Sequence, residues 1–176
     1  AAIAAGGNNN TTEIAVVEEY DGTNWSEVGD ISTARTGMGS SGTAAAGIIY
    51  GGKDSNKDET ELWDGTSWTE VADMSTARRG ISAAGTADTG LGFAGADASD
   101  RLTATEEWNF TSTLGAGTWA AGNDLNNGGT GPAGAGTRDA AIRIGGFDPG
   151  KQDYVELYDG TSWTETTEIN TARGDF

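Results

Sequence analysis

The sequence predicts an all-β fold of four repeated blades, each of four short antiparallel strands, and three observations carry that expectation. One octapeptide recurs, as YDGTNWSE at Tyr20–Glu27, WDGTSWTE at Trp63–Glu70 and YDGTSWTE at Tyr158–Glu165. A Gly-Gly pair recurs at Gly6-Gly7, Gly51-Gly52 and Gly145-Gly146, with Ala94-Gly95 in the third slot. A tail recurs as STAR at Ser32–Arg35 and Ser75–Arg78 and as NTAR at Asn170–Arg173, replaced in the third unit by LNNG at Leu125–Gly128. The second Trp of each unit (Trp25, Trp68, Trp119, Trp163) marks the period, with separations of 43, 51 and 44 residues.

The second unit justifies its elements most clearly. A small-residue strand, Gly37–Thr43, comes first, followed by the apolar strand Ala44–Tyr50, which Gly51-Gly52 closes. ETELW at Glu59–Trp63, the turn DGTS and WTEV at Trp68–Val71 complete the set. Asp-Gly supplies the positive φ that a tight hairpin turn requires. Four short strands with turn chemistry between them, at such a period, are the signature of a β-propeller blade.

The units read as residues 1–35, 36–78, 79–128 and 129–173 of a single repeat domain, with 174–176 starting or closing a blade. The chain opens on a second strand and stops at the start of a first one. That phase predicts that the C-terminal strand completes the N-terminal blade of a closed four-blade ring. An arc of a larger six- or seven-bladed ring is the alternative, and it would leave two sheet edges unpaired.

An apolar strand ending in Gly-Gly, then an aromatic, a Trp a few residues on and a Met/Ile-x-x-x-Arg tail resemble Kelch repeats; WTEVADMSTARRG at Trp68–Gly80 is the nearest match. The resemblance covers essentially the whole chain. It departs in favouring Ala, Gly and Thr, and in the third unit's missing Gly-Gly and Arg. The YDGTSW…TAR style is also similar to repeats of marine phage and bacterial surface proteins.

The recurrent residues read first as structure. The aromatic pairs Tyr20/Trp25, Trp63/Trp68, Trp108/Trp119 and Tyr158/Trp163 are expected to fill the space between blades, with a sugar-stacking platform as the alternative. Glu18, Glu61, Glu106 and Glu156 recur two residues before the first aromatic, and the Kelch resemblance implies that Arg35, Arg78 and Arg173 pair with such glutamates. The competing reading is a cationic ring that holds carboxylate or sulfate. Gly128 is read at the Arg position of the third unit, which leaves one carboxylate for Arg101 or a cation. RGD at Arg173–Asp175 is the repeat's Arg followed by a new strand.

Composition excludes several chemistries. The chain of 176 residues has 27 acidic and 10 basic residues, a net charge of −17, and no Cys or His. A nucleic-acid partner needs a basic footprint that is missing. Disulfides, thiolate chemistry, imidazole ligation and Ser-His-Asp catalysis are all impossible. No apolar run approaches a membrane span of about 20 residues. With 29 Gly and 2 Pro, the chain suits tight turns rather than long helices.

Function is expected where the copies disagree. The loops after the Gly-Gly position are NNNTTE, KDSNKDE, ADASDRL and FDPGKQD, and a propeller presents them on one face. They nominate Asn8, Asn10, Lys53, Asp54, Asn56, Asp58, Asp97, Asp100, Arg101, Asp148 and Lys151 as binding residues. In the third unit the stretch between the aromatics lengthens to NFTSTLGAGT, and Phe110 with Leu114 is read as an exposed subunit-docking pair. No catalytic residue and no cofactor is expected. Ca²⁺ at Asp54/Asp58/Glu59 or Asp97/Asp100 is the weaker reading, because no D-x-D-x-D-G loop is present.

These features predict a non-catalytic binding or structural module, extracellular or on a virion surface. It would contact glycans or neighbouring protein subunits through its loops, and a homo-oligomer is compatible with it. The alternatives are a glycan hydrolase using channel or loop carboxylates and an intracellular Kelch-type adaptor.

Overall fold

A computed structural model describes residues 1–53, 55–111, 116–174 of the chain, and the side chains of all of these except Thr111 and Ala116. It is all-β, and its strands form four antiparallel sheets in chain order, as the repeat predicts. The first sheet holds β1 (Ala2–Ala5), β2 (Val17–Tyr20) and β3 (Trp25–Glu27). The second holds β4 (Gly39–Thr43), β5 (Ala46–Gly52), β6 (Lys57–Trp63) and β7 (Trp68–Val71). The third is built from β8 (Ser82–Gly85), β9 (Thr89–Phe93), β10 (Thr105–Thr111) and β11 (Ala116–Ala121). The fourth is built from β12 (Ala133–Thr137), β13 (Ala140–Ile144), β14 (Val155–Tyr158) and β15 (Trp163–Glu165).

The octapeptide is the outer hairpin of each blade. Tyr20 pairs with Trp25, Trp63 with Trp68 and Tyr158 with Trp163 across the two strands. Gly22, Gly65 and Gly160 take φ of 106°, 91° and 89° in the turns, a conformation that a Cβ penalises. The preceding Asp closes each turn: Asp64 Oδ1 accepts from the backbone N–H of Thr66 and Ser67, both at 2.8 Å. Asp21 and Asp159 do the same in their blades.

The longer aromatic spacing of the third unit is a longer hairpin. β10 and β11 stay paired past Trp108↔Trp119 through Asn109↔Thr118 to Thr111↔Ala116. Gly117 faces the Trp108 ring, where an added Cβ would fall 2.0 Å from the ring carbons. Phe110 is half-buried and packs against the cluster of Ile48, Tyr50, Met74, Ile81 and Trp108. It is therefore part of the packing between the second and third blades, not an exposed docking residue. Leu114 lies outside the described residues.

The innermost strands β4, β8 and β12 lie side by side. Their entries are stitched by Gly80 N–H to Gly37 C=O at 2.8 Å and Gly131 N–H to Gly80 C=O at 3.0 Å. The first blade has three strands, because nothing among the described residues pairs with the free edge of β1. No hydrogen bond or β-bridge among the described residues joins the fourth sheet to the first. The expected completion of the first blade by the C-terminal strand is therefore not made there. Gly174 instead lies against Gly146 of its own blade.

Among the described residues the core consists of three inter-blade clusters. Val17, Ile31 and Ile49 join the first and second blades, with Ile3, Ala5 and Trp68 packed on them. The Tyr50 and Trp108 cluster joins the second and third. Leu91, Phe93, Leu125, Tyr158 and Trp163 join the third and fourth. The second Trp of a blade packs backward, with Trp119 edge-on to Tyr50 at 4.8 Å and Trp163 against Phe93 at 4.9 Å. Aromatic contacts at these spacings add to the burial of apolar area. Trp25 packs on no other blade among the described residues and is 51% exposed.

Candidate functional site

The recurrent charged residues are consumed by this architecture. Arg35 of the first tail reaches Glu61 of the second blade at 2.5 Å, and Arg78 reaches Glu106 of the third at 2.9 Å. Each carboxylate also caps the tail that sends the arginine, accepting from Ser32 N–H at 2.8 Å and from Ser75 N–H at 2.7 Å. Burial pushes the Arg78 guanidinium below the ordinary arginine value, and the Glu106 charge opposes that shift. Arginine remains a cation under such a shift. These are stitches between blades, and the cationic-ring reading of Arg35 and Arg78 falls with their complete burial.

In the third unit the tail residue equivalent to Arg35 and Arg78 is Gly129, not Gly128. Gly95 N–H bonds Gly129 C=O at 2.8 Å, as Gly52 N–H bonds Arg78 C=O at 2.9 Å. The missing cation comes from β13 instead, where Arg143 lies 3.7 Å from Glu156 with both side chains fully buried. Glu156 also accepts from Asn126 N–H, Asn126 Nδ2 and Asn127 N–H. Glu156 therefore needs neither Arg101 nor an added cation. Arg143 was legible as the one charge in the apolar strand AAIRI, directly before Gly-Gly.

The divergent loops remain. Those of the second, third and fourth blades meet the strand entries through the bridges Thr36↔Lys53, Arg79↔Ala96 and Thr130↔Phe147, so they share one rim. Two arginines tie them together. Arg79 donates to Asn56 Oδ1 at 2.5 Å and to Asp97 C=O at 3.4 Å, joining the second and third loops. Arg101 pairs with Asp148 at 3.5 Å and stacks over Phe147 at 5.1 Å, joining the third and fourth. Arg79 and Phe147 were missed as site residues. The signal for Arg79 was the extra Arg in STARRG, where the equivalent tails have Thr36 and Thr130.

The other nominated residues divide. Lys53, Asp100 and Lys151 are exposed on this rim. Asp97 Oδ1 is occupied by the N–H groups of Ser99 and Asp100, at 2.7 and 2.8 Å. Those bonds, Asp100 first, hold its carboxyl below the usual aspartate value. Asp58 is half-buried in β6 rather than in a loop, because that strand begins at Lys57. Asn10 N–H donates to Asn8 Oδ1 within their own turn, at 2.7 Å, and neither residue hydrogen-bonds another nominated residue among the described ones. Asp54 lies outside the described residues. Among the described residues no group of three or more carboxylates converges as a metal site would.

The chain is similar to the solved structure of YjhT, with a TM-score of 0.79 and 14% identity, over 98% of this chain and 69% of that one. At that identity the likeness is one of fold, and it agrees with the β-propeller architecture of the four sheets. No protein-family model and no curated protein matches the chain.

Proposed function

We propose that the chain is a non-catalytic binding or structural module of Kelch-like blades, extracellular or virion-associated. It contacts acidic glycans or neighbouring protein subunits through the loop rim. The observation that carries this reading is the distribution of positive charge. In a chain with a net charge of −17 and only 10 basic residues, Lys53, Arg79, Arg101 and Lys151 all lie on that rim. The cations of this rim, set among Asp97, Asp100 and Asp148, give an anionic ligand its points of attachment on a strongly acidic body. Arg101 over Phe147 offers a flat face and a fork of donors to a carboxylate or sulfate.

The non-catalytic reading rests on the carboxyls. The carboxyls of the described residues whose ionisation shifts (Asp21, Glu59, Asp64, Asp97, Asp159) all shift downward. A general acid needs the opposite. The test is binding of the purified chain to an array of acidic and neutral glycans and to surface and virion fractions of its source. Retention that disappears in the Arg79→Ala/Arg101→Ala variant is expected. Turnover on a panel of glycosides, abolished by one Asp or Glu substitution, would overturn the reading.

A further inference from the structure

The contact between successive blades is made from the same parts each time. The rear face of one blade presents two side chains of its second strand: Ile3 and Ala5, Ile48 and Tyr50, or Leu91 and Phe93. The front face of the next blade presents its second Trp (Trp68, Trp119 or Trp163) to them. A tail arginine crosses to a glutamate in the first two contacts, and Arg143 supplies that charge in the third.

Among the described residues both halves of such a contact stand open, one on the fourth blade and one on the first. On the rear of the fourth blade, Ile142 and Ile144 occupy the strand positions of Ile48 and Tyr50, since Ile142 pairs with Leu157 as Ile48 pairs with Leu62. Leu157 is 46% exposed beside them. Ala135, Ala141, Ile142, Leu157 and Tyr158 line an apolar hollow of about 640 Å³ on this face. Arg173 is exposed, lines a second hollow with Ile144, and meets no carboxylate among the described residues. On the front of the first blade, Trp25 is 51% exposed. Glu18, which holds the position of Glu61 and Glu106 by its pairing with Glu27, is exposed and meets no cation among the described residues.

We propose that these two faces bind each other between molecules, so that a second copy of this chain docks its first blade on the fourth blade of its neighbour. Trp25 then enters the hollow beside Ile142, Ile144 and Leu157, and Arg173 meets Glu18. The occupant follows from complementarity: each open face lacks what the other carries, in both shape and charge. The contact is heterologous, so it closes into a ring or extends as a series. It involves none of the loop-rim residues and stands independently of the proposed ligand.

Sedimentation velocity over a range of concentrations tests this. Species at multiples of the 17.9 kDa chain mass are expected. Glu18→Arg alone and Arg173→Glu alone should each give monomers, because like charges then face each other. An equimolar mixture of the two variants restores opposite charges at every contact and should associate again. Both residues are exposed, so at dilution, where the wild type is monomeric too, the variants keep its melting temperature. A wild-type chain that stays monomeric at every concentration would overturn the proposal. So would association that survives both single substitutions, or a mixture that remains monomeric.

Discussion

Arg143 and Glu156 form the third inter-blade stitch from within one blade, and the Arg143 guanidinium fills the space above Gly129. An added Cβ at Gly129 would lie 3.0 Å from Arg143 Nη2. The cation has moved from the tail of one blade to the strand of the next while the carboxylate stayed in place. The move is not free: the pair is 3.7 Å apart, against 2.5 Å for Arg35 and Glu61, and Arg143 Nη1 and Nε have no hydrogen-bond partner.

The relocation predicts a rescue. Arg143→Ile should destabilise the chain by about 3 kcal/mol, the lower end for breaking a buried pair, since Glu156 keeps its bonds to Asn126 and Asn127. Gly129→Arg in that background should recover most of the loss by restoring the arrangement of the first two contacts. Gly129→Arg alone should destabilise by crowding two guanidiniums. Urea midpoints of the three variants check this as a double-mutant cycle, whose coupling should be large and favourable.

The tryptophans should behave unequally, although the repeat writes them alike. Trp163 is 6% exposed and donates from Nε1 to Thr105 Oγ1 at 3.0 Å, so Trp163→Ala should cost about 3–5 kcal/mol. Trp25→Ala should cost far less in the dilute monomer, because the side chain is half in solvent. Thermal melts of the two variants at low concentration read the difference, and equal losses would contradict the packing described.

What the sequence made legible was whatever the repeat states more than once. Sheet number, the outer hairpin, the Gly-Gly turns and the aromatic filling all follow from residues that recur. The third unit was harder because LNNGG offers two glycines for one tail position. The choice between Gly128 and Gly129 needs the backbone bond to Gly95, which no spacing reveals. The three-stranded first blade was invisible for a similar reason, since strand phase says which strand is missing but not what fills its place. On the rim, loop composition found Arg101 and Asp148. It also nominated Asn8 and Asp97, whose polar side chains bond their own turns, and Asn10, whose backbone N–H is held by Asn8.

Trp68 carries a defect that one substitution should repair. Its Nε1 is buried without a partner, whereas Trp119 and Trp163 donate to Thr60 and Thr105 of the preceding blade. The equivalent residue in the first blade is Val17, one position before Glu18 as Thr60 precedes Glu61. Val17→Thr should therefore stabilise by about 1 kcal/mol, the net value of a hydrogen bond offset by burial of its hydroxyl. Thr60→Val should destabilise by at least as much, because it orphans Trp119 Nε1. Denaturant midpoints of both variants give the sign.

Acid should loosen the outer hairpins, and the responsible groups are the turn aspartates. The backbone N–H groups of Ser67 and Thr66 hold Asp64 below its ordinary value of 3.8, as Asn24 and Thr23 do for Asp21, and Ser162 and Thr161 for Asp159. A carboxyl lowered in the folded chain binds fewer protons there than in the unfolded one. Its contribution is therefore complete above the unfolded value and is lost as the pH falls through the folded one. Asn keeps the acceptor oxygen and removes the titration. The Asp21→Asn/Asp64→Asn/Asp159→Asn variant should thus melt lower than the wild type at neutral pH, and the gap should shrink steadily below pH 3.8. Melting temperatures of both chains across the acid range check it, and a gap that stays constant with pH would assign the acid sensitivity to other groups.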